Sequence, residues 1–231
     1  MDPPLPDGSR ADGGLIAMLD PLMRRFIDPP FGRAGACLAA RHVPANAVSL
    51  AGLAIGLFVL PCLAYRQYEA ALVIVFVNRL LDGLDGAIAR AAGATAFGGY
   101  LDIVCDAVFY AAVPLGFALA DPGYGLWVAL LLASFVCTMT SFLARAIVAA
   151  QRGEADGGAR GQKSFFHAAG IVEGTETIAA FALFCLFPTQ FPLLAGLFAA
   201  LCLWTAFARV LECARSEKAA RAEGHSGNRA A

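Results

Sequence analysis

Residues 98–150 read GGYLDIVCDAVFYAAVPLGFALADPGYGLWVALLLASFVCTMTSFLARAIVAA. Two apolar runs, 98–120 and 123–150, meet at the turn formers Asp121-Pro122-Gly123. At 1.5 Å per helical residue, either run reaches across a hydrocarbon core of roughly 30 Å. The stretch therefore reads as a membrane hairpin of two helices.

Outward from that hairpin, the same reading applies to 46–65, 69–90, 170–187 and 191–211, the last two joined at Pro188-Thr189-Gln190. The expected fold is all-α: a polytopic bundle of six transmembrane helices. Composition agrees. Of 231 residues, 59% are apolar and 15% charged, against about 45–50% and about 25% in soluble domains. With 17 Lys and Arg against 18 Asp and Glu, the net charge of −1 gives no basic field for nucleic acid. Seven cysteines form no CxxC pair and read as small hydrophobes.

Fourteen of the 17 basic residues fall in three segments: 1–45, 145–163 and 209–229. The positive-inside rule then places both termini in the cytoplasm, as an even number of spans requires. Residues 1–14 lack an apolar signal core and form a flexible tail, so the spans are expected to direct their own insertion. Residues 15–45 mix apolar side chains with arginines and read as an N-terminal juxtamembrane amphipathic helix region. The catalytic bundle is expected over 46–212, with a cytoplasmic tail over 213–231.

Four aspartates stand in or beside two apolar spans. Asp82 and Asp85 are three apart, Asp102 and Asp106 four apart, so each pair shares a helix face. Counted from the cytoplasmic helix ends, Asp82 and Asp106 lie about 12 Å deep, and Asp85 and Asp102 about 6–8 Å. Antiparallel neighbours would match those depths. Carboxylates are costly in a bilayer and need partners. Hard divalent cations are the natural counter-charge, and two of them, Mg²⁺ or Mn²⁺, suit a displacement at phosphorus. Gly86 and Ala89 remove bulk where a ligand would approach, and Arg90 offers a planar fork for phosphate oxygens. Gly93, Gly98 and Gly99 allow a tight connecting turn.

These positions resemble the signature of the CDP-alcohol phosphatidyltransferase family, Asp-x2-Asp-Gly-x2-Ala-Arg-x7–8-Gly-x3-Asp-x3-Asp, at every fixed position from Asp82 to Asp106. The resemblance implies transfer of a phosphatidyl group from CDP-diacylglycerol, or a related CDP-alcohol, to an acceptor hydroxyl with release of CMP in phospholipid synthesis. It implies Asp82, Asp85 and Asp102 as metal ligands. Asp106 is implied to approach the second metal and to act as general base. Gly86 and Arg90 are implied to contact the cytidine nucleotide, with Ala89 and Gly98 beside them. Asn46, Ser49 and Thr95 match weaker nucleotide positions, although Asn and Ser at a helix start also serve as plain N-caps. A multi-pass inner-membrane protein with a cytoplasmic active site and a homodimeric assembly follow from the same likeness.

The acceptor is not legible. Arg145, Lys163, Glu173 and Glu176 are candidates for its pocket, with Thr138, Ser141, Ser164, His167 and Thr177 nearby in sequence. The two glutamates read equally well as partners of Arg145 and Lys163 that hold the bundle together. Gly52-x3-Gly56 reads as close helix packing, compatible with a homodimer, and Tyr124 and Trp127 as interfacial anchors. A cation- or proton-coupled transporter is the alternative from another class; it explains the acids but not their pairing with Gly86, Arg90 and a glycine-rich turn. An idle family member acting as a scaffold is a third reading, but no expected acid is missing.

Overall fold

A computed structural model describes residues 30–151, 172 and 174–227. The expected tail over 1–14, residues 15–29 of the juxtamembrane region, Lys163, Ser164, His167 and Glu173 lie outside these residues. Among the described residues the chain is all-helical. Helix α1 is described over 30–40. It is followed by α2 (Ala45–Gly56), α3 (Val59–Ala64), α4 (Tyr68–Ala92), α5 (Ala96–Ala120), α6 (Gly125–Gln151), α7 (Gly174–Leu186) and α8 (Phe191–Gly227). Short 3₁₀ turns at Pro122–Tyr124 and Pro188–Gln190 stand where the turn formers predict hairpin connections.

Four stretches among the described residues are long and apolar enough to cross a bilayer: Ala45–Ala64, Ala96–Ala120, Pro122–Gln151 and Pro188–Glu217. Helix α4 has 25 residues, ample length, but carries Glu69, Arg79, Asp82, Asp85 and Arg90. Helix α7 is apolar with 13 residues. The last helix continues beyond the expected boundary at 212 to Gly227.

The first expected span is two helices. Pro61 has no N–H to give to the carbonyl four residues back and its ring crowds that position. The Leu57 carbonyl accepts from Leu60 N instead, at 3.1 Å, and the chain turns at Leu57-Phe58. Two helix ends close on non-glycine residues with positive φ, His42 at 57° and Arg66 at 59°. In both, paired backbone bonds satisfy the last carbonyls: His42 N to Ala39 O with Val43 N to Leu38 O, and Arg66 N to Leu63 O with Gln67 N to Cys62 O.

The chain divides into two compact units: the described part of Met1–Ala51 with Leu80–Ile103, and Gly52–Arg79 with the described part of Val104–Ala231. In the first, α1 lies against the C-terminal half of α4. A Cβ at Gly35 would stand 2.6 Å from the carbonyl carbon of Ala87, and one at Gly83 would stand 3.0 Å from the Phe31 ring. Gly35, Ala87 and Ile88 are buried there.

The second unit has an aromatic core. Phe117 stacks on Phe191 at 4.3 Å, and Phe181 and Phe184 meet neighbouring rings edge-on. Gly52 and Gly56 do serve close packing: Asn78 Nδ2 donates to Gly52 O at 3.1 Å, and a Cβ at Gly56 would stand 2.9 Å from the Phe109 ring. Tyr124 and Trp127, expected as interfacial anchors, make contacts within the chain. The Tyr124 hydroxyl donates to Pro188 O at 3.3 Å, and Trp127 lies over Gly196. Helices α6 and α8 are joined by Thr138 Oγ1, which donates to Cys202 O at 3.1 Å, and by Arg209 Nη1, which donates to Thr138 O at 3.2 Å.

Candidate active site and metal centre

Helix α4 ends where Gly93 takes φ +101°, a conformation that side chains disfavour. Three residues later α5 begins, with Thr95 Oγ1 accepting from Gly98 N at 3.0 Å. Thr95 is thus the N-cap of α5. The lack of a side chain at Gly98 lets Thr95 and Asn46 come close, since a Cβ there would stand 3.1 Å from Thr95 Oγ1 and 3.2 Å from Asn46 Oδ1. Ser49 Oγ donates to Ala45 O within its own helix at 3.3 Å.

This turn carries the end of α4 into the start of α5. Asp82, Asp85 and Asp102 each present a carboxylate oxygen, and these oxygens lie within 4.8 Å of one another. Asp85 is buried, Asp82 half-buried and Asp102 exposed. Two ionised carboxylates at that separation repel by about 3 kcal/mol at an effective dielectric constant of roughly 20. Oxygens on a common cation, at bonds of about 2.0–2.6 Å, lie no more than about 5 Å apart. The trio therefore fits a hard divalent cation by donor type and by spacing. Arg90 returns over the same face of α4: a Cβ at Gly86 would stand 3.2 Å from Arg90 Nη1. The end of α4 thus carries anions and a guanidinium side by side, with no side chain on Gly86 between them.

Asp106 follows one turn along α5 and is part of the second unit. Arg79 Nη2 pairs with Asp106 Oδ1 at 3.5 Å, and Arg79 Nη1 donates to the Tyr110 hydroxyl at 3.1 Å. Neither Arg79 nor Tyr110 was singled out by motif. The available signal was an arginine ten residues into an apolar span, a placement that demands a partner.

Of the acceptor candidates, Arg145 on α6 and Glu176 in the first turn of α7 are half-buried. Thr138 and Ser141 hydroxyls are committed to backbone carbonyls, of Ser134 and Cys202 and of Thr138 respectively.

The family model for CDP-alcohol phosphatidyltransferases matches residues 42–211. The chain is 45% identical over 197 residues to the Inner membrane protein YnjF of Escherichia coli (strain K12), covering 84% of this chain and 94% of that protein. It is 34% identical over 98 residues to the archaetidylinositol phosphate synthase of Pyrococcus horikoshii, covering 42% of this chain and 52% of that one. The fold resembles the crystal structure of Mycobacterium tuberculosis phosphatidylinositol phosphate synthase (PgsA1) with CDP-DAG bound, at a TM-score of 0.61 and 21% identity over 79% of this chain and 92% of that one. A second structure of that enzyme, in complex with manganese and citrate, gives the same score and identity over 79% and 88%. With the family model spanning most of the chain and the aspartate trio in place, this protein belongs to the CDP-alcohol phosphatidyltransferase family.

Proposed function

We propose that the chain transfers a phosphatidyl, or related substituted phosphate, group from CDP-diacylglycerol or another CDP-alcohol to an acceptor hydroxyl in phospholipid synthesis. The observation that carries the reading is the convergence of Asp82, Asp85 and Asp102 within 4.8 Å. These residues would hold two divalent cations, Mg²⁺ or Mn²⁺, with Asp106 approaching the second. Bound there, the cations neutralise the diphosphate and make CMP a competent leaving group. The similar fold of the M. tuberculosis enzyme, crystallised once with CDP-DAG and once with manganese and citrate, supports donor and metal alike.

The residues of the chain then divide the work. Arg90 faces the diphosphate oxygens, and Gly86, Ala89 and Gly98 leave room for the nucleotide. Asn46 and Ser49 border that room at the start of α2. The acceptor oxygen forms a bond to the phosphorus that carries the lipid alcohol, and the bond from that phosphorus to the CMP oxygen breaks. The hydroxyl proton passes to an oxygen of Asp106, acting as general base. Arg145, Lys163, Glu173 and Glu176 are the proposed acceptor-side residues. Six spans, α4 and α7 among them, would cross an inner membrane with both termini and the site on the cytoplasmic side, and the enzyme would act as a homodimer.

The test is a screen of acceptor alcohols with CDP-diacylglycerol labelled in the cytidine, using the purified full chain in lipid nanodiscs. Metal-dependent release of labelled CMP with one acceptor class is expected. Metal-coupled ion flux without CMP release would replace this reading with a transporter.

A further inference from the structure

Asp106 is held at one carboxylate oxygen by a guanidinium that is itself held from the other side. Arg79 reaches from α4 to Asp106 Oδ1 at 3.5 Å through Nη2 and to the Tyr110 hydroxyl at 3.1 Å through Nη1. The Tyr110 ring is in turn wedged in the aromatic core. Its centroid lies 5.8 Å from Phe181 on α7, nearly edge-on at 82°, and 6.4 Å from Phe135 on α6. The first residue of α7 closes over the pair, because a Cβ at Gly174 would stand 3.5 Å from the Tyr110 oxygen and 4.0 Å from Arg79 Nη1.

We infer that Arg79 is a positioning residue for Asp106, clamped by Tyr110, through which helices α6 and α7 set the orientation of the proton-accepting carboxylate. The inference rests on the transferase reading above. An aspartate side chain has two rotatable bonds, and proton transfer in the transition state demands one orientation. The planar guanidinium fixes both partners at once, which an ammonium on a flexible stem does not. The side chains of Arg79 and Asp106 retain 25% and 32% exposure. The tethered carboxylate is therefore not sealed off by its own pairing. A plain ion pair that only neutralises buried charge would be closed to solvent and indifferent to the phenol.

The experiment measures kcat and donor KM for CMP release by the full chain and its variants, with thermal unfolding alongside. Arg79→Gln is expected to lower kcat by about tenfold or more with donor KM nearly unchanged, the signature of an interaction used in the transition state. Tyr110→Phe, which keeps the ring and its packing, is expected to lower kcat by about three- to tenfold, and Arg79→Lys to restore only part of the loss. In an Asp106→Glu background, Arg79→Gln should cost much less than in the wild type, because both act through one carboxylate. If Arg79→Gln does not fold, Tyr110→Phe and Arg79→Lys carry the same comparison. Unchanged kcat in Tyr110→Phe and Arg79→Lys, or an equal loss from Arg79→Gln in both backgrounds, overturns the assignment while the transferase stands. A wild-type chain that releases no CMP with any acceptor overturns the transferase reading, and this assignment with it.

Discussion

Arg90 lies across Gly86, with its Nη1 only 3.2 Å from where a Cβ on Gly86 would sit. The two are one helical turn apart on α4, so the glycine opens the space that the guanidinium borders. A methyl there meets the far end of a flexible side chain and is accommodated by moving it. Gly86→Ala is therefore expected to raise thermal stability slightly, by about 0.5–1 kcal/mol from helix propensity. The same change should raise donor KM severalfold, because it displaces the guanidinium proposed to meet the diphosphate. Unfolding curves and donor saturation kinetics on one preparation check both halves.

Helix α1 depends on a contact that has no such give. The Cβ of an alanine at position 35 would fall 2.6 Å from the carbonyl carbon and 2.7 Å from the Cβ of Ala87. Helical backbone in the C-terminal half of α4 does not step aside, so Gly35→Ala must push α1 off. The expected cost is about 1–3 kcal/mol, as for other overpacked contacts. Limited proteolysis should then cut within 30–45 faster than in the wild type, while Gly32→Ala, where a Cβ meets open space, leaves the pattern unchanged.

Thr95 separates capping from nucleotide binding. Its hydroxyl accepts from Gly98 N at 3.0 Å at the start of α5. Thr95→Ala is expected to lower stability by about 1 kcal/mol with donor KM unaltered, and Thr95→Ser to retain both. A rise in donor KM at full stability would instead assign the hydroxyl to the nucleotide.

Much of this architecture follows from local signals. The apolar runs give the helices, and Asp121-Pro122 and Pro188 give the turns, because length and backbone chemistry act within a few residues. The trio was legible for the same reason: Asp82 and Asp85 share a face by spacing, and Gly93 and Thr95 reverse the chain so that Asp102 returns beside them. The break at Leu57-Phe58 was masked because hydropathy runs on through Pro61, although the missing N–H was there to be read. Arg79 and Tyr110 were hidden more deeply. They are 31 residues apart on different helices, and no periodicity within either helix announces such a contact. Thr138 and Ser141, named as acceptor-side candidates, also donate to backbone carbonyls of their own helix, and the Thr138 bond to Cys202 O depends on packing between α6 and α8.

Mn²⁺ binding to the purified full chain, followed by electron paramagnetic resonance and paired with CMP release, is the most direct measurement of the role given to Asp82, Asp85 and Asp102. The prediction is saturable binding in the wild type that each of Asp82→Asn, Asp85→Asn and Asp102→Asn weakens, with CMP release falling by about a hundredfold or more. Release should stop with a chelator and return when Mg²⁺ or Mn²⁺ is restored. Full Mn²⁺ binding in the triple variant, or CMP release that persists in chelator, would contradict it.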